Sequence, residues 1–131
     1  MPMPQYQTSG SVAFDLYSRV DMEIGAKSID FIPLNIIVGT PEGYVFIIAP
    51  RSSTARKKGL LMGNSIGVVD QDFCGEEDEV KFIAYNFTDS PVKIEKGERI
   101  AQGMFLPVEK VELVQVDKMS DQSRGGIGST G

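Results

Sequence analysis

Gly67-Val-Val-Asp-Gln-Asp-Phe-Cys-Gly75 joins a β pattern to a turn and sets an acid and an aromatic ring between glycines. Two apolar residues run into Asp70, a polar pair follows, and Phe73 stands shortly before Gly75. Glycine at each end with Asp and Gln between reads as a strand, a tight turn and a returning strand. Such a hairpin holds one carboxylate and one ring at the rim of a pocket, and its backbone offers N–H and C=O groups to a ligand. The same residues also suit a plain turn in which Asp70 bonds only its own backbone. The neighbouring segments decide between the two.

Outward from this hairpin, Leu60 to Val69 and Glu79 to Phe87 read as its flanking strands. Upstream, Ser11-Val-Ala-Phe-Asp-Leu-Tyr-Ser18 is a first strand with Asp15 among apolar neighbours. Met22 to Ile24 and Phe31 to Val38 follow, with Pro33 marking an edge or bulge. Thr40 to Gly43 is a turn, and the unbroken apolar run Tyr44 to Ala49 is a buried strand ended by Pro50. Arg51 to Gly59 carries the one helix expected, a turn or two capped by Ser52 or Ser53 and stopped at Gly59. Downstream, Val92 to Ile94, Arg99 to Leu106 and Val108 to Val116 complete the β content. Short strands with a turn about every ten residues predict an all-β fold, an antiparallel barrel or jelly roll. Residues 1–117 form that domain, and polar, glycine-rich 118–131 is a mobile C-terminal arm.

The composition restricts the chemistry. At 131 residues one domain is expected, burying roughly two-thirds of its unfolded surface. A net charge of −5 argues against nucleic acid or a membrane surface as partner. The single cysteine, Cys74, and the absence of histidine exclude a disulfide, a cysteine zinc cage, and Ser-His-Asp or Cys-His catalysis. What remains is carboxylates, arginines, hydroxyls, backbone dipoles and a metal held by oxygen. No run of about 18 apolar residues occurs, and Met1 to Tyr6 lacks a basic-then-apolar leader. A soluble, cytoplasmic chain is expected.

Four segments carry candidate chemistry. Pro50-Arg-Ser-Ser-Thr54 is an anion cradle in which Arg51 supplies a fork of donors and Ser52 and Ser53 supply hydroxyls at a helix start. In the hairpin, an ionised Asp70 takes a proton from water while Phe73 walls one face of a ring or sugar. Gly97-Glu-Arg-Ile-Ala-Gln-Gly103 presents Gln102, whose amide both donates and accepts. In the tail, Arg124-Gly-Gly-Ile-Gly-Ser-Thr-Gly131 has glycines that admit close backbone approach to phosphate oxygens, with hydroxyls at Ser129 and Thr130. Taken singly, each also has an ordinary reading as a cap, a turn, an exposed strand residue or a loose terminus.

Together with Ala13-Phe-Asp-Leu16, and in this order, these segments resemble the trimeric dUTP nucleotidohydrolase (dUTPase) family across almost the whole chain. The resemblance implies a jelly-roll-like subunit acting as a homotrimer with active sites at subunit boundaries. It implies hydrolysis of dUTP to dUMP and pyrophosphate with Mg²⁺, which keeps uracil out of DNA and supplies dUMP for thymidylate. Asp70 matches the general base, and Phe73 the aromatic that packs on the deoxyribose. Asn64 and the backbone around Ile66 and Gly67 fall where the family reads the uracil edge. Arg51, Ser52 and Gln102 match phosphate-contacting or water-placing positions, with Ser53 beside them. Asp15 supports the metal and the catalytic carboxylate, and Mg²⁺ is held mainly by substrate phosphates and water. Arg124, Ile127, Gly128 and Ser129 lie in the tail motif that covers the substrate.

The chain departs from the family pattern in several places. Ala13 stands where glycine is usual, and Glu76-Glu-Asp-Glu79 is an acidic insertion. Aligning the final glycines puts Gln122 at the tail arginine's place, with Arg124 two residues closer. Ile127 replaces the aromatic that stacks on uracil, so weaker closure is expected. Two other readings compete. A dCTP deaminase of the same fold needs a glutamate where Ile83 stands. A non-catalytic nucleotide-binding barrel has no use for Asp70, Phe73 and Gln102 together.

Overall fold

The computed structural model describes residues 1–130. Nine strands and one short helical turn make up its regular structure: β1 (Phe14–Tyr17), β2 (Met22–Ile24), β3 (Ile29–Pro33), β4 (Tyr44–Pro50), β5 (Leu60–Met62), β6 (Gly67–Val69), β7 (Lys81–Asn86), β8 (Val92–Ile94) and β9 (Arg99–Pro107). They form three antiparallel sheets, ordered β1-β9-β4-β6, β2-β8 and β3-β7-β5. The fold is all-β and jelly-roll-like, as the strand pattern predicts.

The sheets close on one core because alternate residues of each strand point the same way. Leu16, Ile24, Ile32, Phe46, Ile48, Leu60, Phe82, Ile94 and Ile100 are buried there. Phe14, Phe46 and Phe105 pack as a ring cluster, with Phe46 and Phe105 centroids 5.0 Å apart. That cluster needs Gly103, because a Cβ there would lie 2.6 Å from the Phe46 ring. The neighbouring Gln102 is therefore carried on a stretch of β9 whose position the core fixes.

One end is tied by a buried amide. The Asn86 side-chain nitrogen reaches the carbonyls of Ile24 (3.1 Å), Gly25 (3.1 Å) and Ser90 (2.8 Å), and its oxygen accepts from the Thr88 N–H and hydroxyl. Few residues offer donors and acceptors at both ends of so short a side chain.

Three local expectations are corrected. β6 and β7 do not pair as a hairpin: β6 pairs with β4, whereas β7 lies between β3 and β5. The segment from Asp70 to Val80 therefore passes from one sheet to another. Val108 to Val116, read as a final strand, forms no strand among the described residues, and its apolar side chains are exposed. It has the alternation of a strand but finds no edge in its own chain. The helix is a single wide turn, Thr54–Lys58, ended as expected by Gly59 at φ 73°. Ser53 makes no side-chain cap; instead the Thr54 hydroxyl accepts the Arg51 N–H at 3.0 Å and donates to the Ile100 carbonyl at 3.3 Å.

Candidate active site

Asp70 is the first residue beyond the β6 ladder, since Val69 still pairs with Phe46. Its loop is held near that end by Gln71, whose amide donates to the Tyr44 carbonyl at 2.8 Å. Local bonds shape the rest: Phe73 N–H to the Asp70 carbonyl (3.2 Å), Gly75 N–H to the Asp78 carboxylate (2.8 Å) and Asp78 N–H to the Gly75 carbonyl (3.0 Å). The loop forms one side of an open cleft of about 450 Å³ that brings together Asn64, Gly67, Asp70 and Phe73. That volume suits a small organic ligand, and the lining mixes apolar surface with the carboxylates of Asp70, Glu77, Asp78 and Glu79. Ile66 stays on the exposed turn that leads into Gly67.

The cleft also contains residues that motif reading does not single out. Phe31 and Ile83 supply apolar surface, and Glu77 to Lys81 form a charged wall. Phe31 carries a signal in retrospect: a half-exposed phenylalanine next to fully buried Ile32 is an outward apolar side chain on an edge strand.

A second cluster lies where β4 runs out. The Arg51 Nε donates to Asp15 Oδ1 at 3.0 Å, and the Arg99 guanidinium lies 3.6 Å from Asp15 Oδ2. Register puts Asp15 opposite Gln102, and Gln102 opposite Ala49. The Gln102 NH₂ donates to the Pro50 carbonyl at 3.0 Å, which leaves the amide oxygen as the acceptor end. A hollow of about 290 Å³ is lined by Arg51, Ser53, Lys57, Lys58 and Arg99, with Glu98 bonded to Lys58 at 2.7 Å. Ser52 is exposed on the turn at its edge. In a chain of net charge −5, this concentration of cations marks a place for an anion. A turn of five residues carries little macrodipole, so the attraction comes from the side chains.

The tail forms a third group. The Arg124 Nε donates to Ser129 Oγ at 3.2 Å and the Ser129 N–H to the Gly126 carbonyl at 3.2 Å. Ile127 is fully exposed, and Arg124, Gly128 and Ser129 touch neither of the other clusters. For a metal, the described residues contain no group of three or more acidic, cysteine or histidine side chains suited to one. Asp15 has both oxygens turned to arginines. The donor set thus fits a Mg²⁺ whose ligands come from phosphate and water.

Strand register separates the first two clusters. Asp70 follows Val69 and so falls level with Val45, while Arg51 lies six residues further along β4. At about 3.3 Å per residue the two are roughly 20 Å apart, farther than an arginine side chain reaches.

Similarity to known proteins gives these clusters a common context. The family profile described as dUTPase matches residues 1–131. The deoxyuridine 5'-triphosphate nucleotidohydrolase of Hydrogenobaculum sp. (strain Y04AAS1) is 43% identical over 133 residues, spanning 98% of this chain and 90% of that protein. The crystal structure of dUTPase from Streptococcus mutans superposes with a TM-score of 0.80 at 34% identity, covering 84% of this chain and 88% of that one. The dUTPase of Staphylococcus bacteriophage 80alpha with dUpNHpp gives a TM-score of 0.85 at 26% identity, over 99% and 92% of the two chains. With the profile matched from end to end and a relative this similar along nearly its full length, the chain belongs to the dUTPase family.

Proposed function

We propose that this chain hydrolyses dUTP to dUMP and pyrophosphate, with active sites shared between the subunits of a homotrimer. The observation that carries the proposal is the cleft in which Asp70, Phe73, Asn64 and Gly67 meet. Uracil lies against Asn64 and the backbone of Ile66 and Gly67, which match its donors and acceptors. A buried polar group left unpaired there costs about 1–3 kcal/mol, enough to disfavour cytosine. Phe73 packs on the deoxyribose and leaves no room for a 2′-hydroxyl.

Asp70 accepts a proton from a water whose oxygen attacks the α-phosphorus, and pyrophosphate leaves with the bond electrons. Such a base contributes about 10²–10⁴ in rate. The Gln102 oxygen accepts the water's other hydrogen and aims its lone pair. Arg51, Ser52 and Ser53 hold phosphate oxygens, and Asp15 keeps Arg51 pointed at them. The separation of Asp70 from Arg51 along β4 supports a site in which one subunit gives the base and cleft and another gives the cradle. Substrate phosphates and water would hold Mg²⁺, which would supply neutralisation of charge on the phosphate oxygens. The arm at 118–131 brings Arg124, Ile127, Gly128 and Ser129 over the nucleotide.

The reaction keeps uracil out of DNA and supplies dUMP for thymidylate, in the cytoplasm where nucleotides are made. A deaminase of the same fold is disfavoured because Ile83, on the cleft wall, cannot shuttle protons. Purified protein given dUTP, dCTP, dTTP and UTP, with and without Mg²⁺, tests the assignment. Pyrophosphate from dUTP alone is expected; ammonia from dCTP would transfer the assignment to deamination.

A further inference from the structure

The cleft has two sides, and they are held differently. On the Asp70 side the loop continues directly from the β6 ladder, which is anchored to β4. On the other side, Glu77 to Val80 approach β7 across an acidic stretch of sequence that would repel itself. Two backbone bonds, one bond from a backbone N–H to a side chain and one ion pair oppose that repulsion. Leu34 N–H donates to the Val80 carbonyl (3.0 Å), and Val80 N–H donates to the Ile36 carbonyl (2.9 Å). Between them, Asn35 N–H donates to Glu79 Oε2 at 2.9 Å.

The ion pair is a two-pronged one. Arg19 Nε lies 2.8 Å from Glu79 Oε2, and Arg19 Nη2 lies 3.0 Å from Oε1. Arg19 is itself fixed by its own N–H, which donates to the Pro33 carbonyl at 2.9 Å. One carboxylate thus gathers donors from the segment after β1 and from the residue two beyond β3. Asn35 holds φ 61°, a left-handed conformation that asparagine tolerates better than most residues, and there its N–H serves Glu79. Within the loop from Asp70 to Val80, Glu79 is the only carboxylate in an ion pair with another segment among the described residues.

We propose that Glu79, clamped by Arg19 and Asn35, is a positioning residue that sets the width of the nucleotide cleft and so tightens its selection of deoxyuridine. The proposal rests on the cleft being the nucleotide site. Glu79 lines the same cleft as Asp70 and Phe73. Releasing it lets the acidic stretch swing outward and lowers the fraction of molecules with a cleft narrow enough to grip base and sugar. Apparent affinity falls in proportion to that fraction. The water, the base and the phosphate cradle are untouched, so chemistry on bound substrate is preserved. Glutamine at position 79 offers one acceptor oxygen in place of two and sets an NH₂ against the guanidinium, so the fork is lost.

Four proteins test this: wild type, Glu79→Gln, Arg19→Ala and the double variant. The probes are dUpNHpp binding by calorimetry and steady-state hydrolysis of dUTP and dCTP. Each single variant is expected to weaken dUpNHpp binding and raise the KM for dUTP about fivefold, the upper range for a partly exposed pair, with kcat within about twofold. The preference for dUTP over dCTP falls alongside. The double variant is expected to be no worse than either single one, because the two side chains act as a unit. Unchanged binding and KM in both singles, a loss confined to kcat, or additive losses in the double variant would overturn the clamp. A wild type that binds no dUpNHpp would instead remove the cleft as a nucleotide site, and the clamp with it.

Discussion

Asp70 and Arg51 flank the same strand at opposite ends: one stands level with Val45, the other just past Pro50. An antiparallel ladder allows no slippage here, because a one-residue shift would turn Phe46 and Ile48 out of the core. The roughly 20 Å between them is therefore a fixed property of the subunit. On the proposed chemistry, a base and a cradle so far apart would meet one phosphate chain only if different subunits supplied them.

Asp70→Asn keeps size and hydrogen bonding but removes the proton acceptor. Turnover of dUTP is expected to fall at least about 10²-fold, with dUpNHpp affinity within a few-fold of wild type. Calorimetry beside single-turnover kinetics separates the two, and normal turnover would mean the base is misassigned.

Deleting residues 123–131 is expected to cripple turnover while leaving the melting profile and subunit assembly intact, since none of the described residues there belongs to the core. Conversely, Ile127→Phe restores a ring for the uracil to stack on, worth about 1–3 kcal/mol. A drop in the KM for dUTP of roughly tenfold is expected. An unchanged KM would place the tail away from the base.

Asn86→Ala leaves the buried carbonyl of Ile24 and the Thr88 N–H without their partners. A loss of about 2–4 kcal/mol in unfolding free energy is expected by denaturant titration. A variant as stable as wild type would show that water replaces the amide at no cost.

Glu79 gives the fold a defined response to acid. The Arg19 hydrogen bond holds its carboxyl below the usual carboxylate range, aided by the Asn35 N–H and the charges of Arg19 and Lys81 and opposed by partial burial. The folded-state pKa is the lower one. The pair's stabilisation, small for so exposed an arginine, is complete above the unfolded pKa of about 4.3. It is lost as pH falls through the folded value. Melting temperatures of wild type and Glu79→Gln are expected to be furthest apart above about pH 4.3 and to converge as pH falls below it through the lower folded value; a constant gap would assign the difference to something other than this charge.

Most of the strand content was legible in the chain because it is local. Tyr44 to Ala49 reads as a strand from its own apolar run, and Gly59 ends the helical turn because it alone there adopts a left-handed φ cheaply. Partner choice was not legible. Val68 and Val69 look alike in sequence, and nothing local to them says that β6 joins β4 rather than β7. Asp, Gln and Gly describe a turn equally well within one sheet or between two. The same limit explains Val108 to Val116, where strand-like alternation says nothing of whose edge it meets. The wall from Glu77 to Lys81 and the ring of Phe31 reach the cleft only through the packing of one sheet on another.

Mixing subunits tests the shared site most directly. Asp70→Asn and Arg51→Ala are each expected to be nearly inactive alone. Co-refolded at equal amounts, random cyclic trimers contain about one quarter of sites with both an intact base and an intact cradle. Recovery of dUTP hydrolysis to about that fraction of wild type is the result this account predicts. Mixed trimers that stay as inactive as their parents would contradict it.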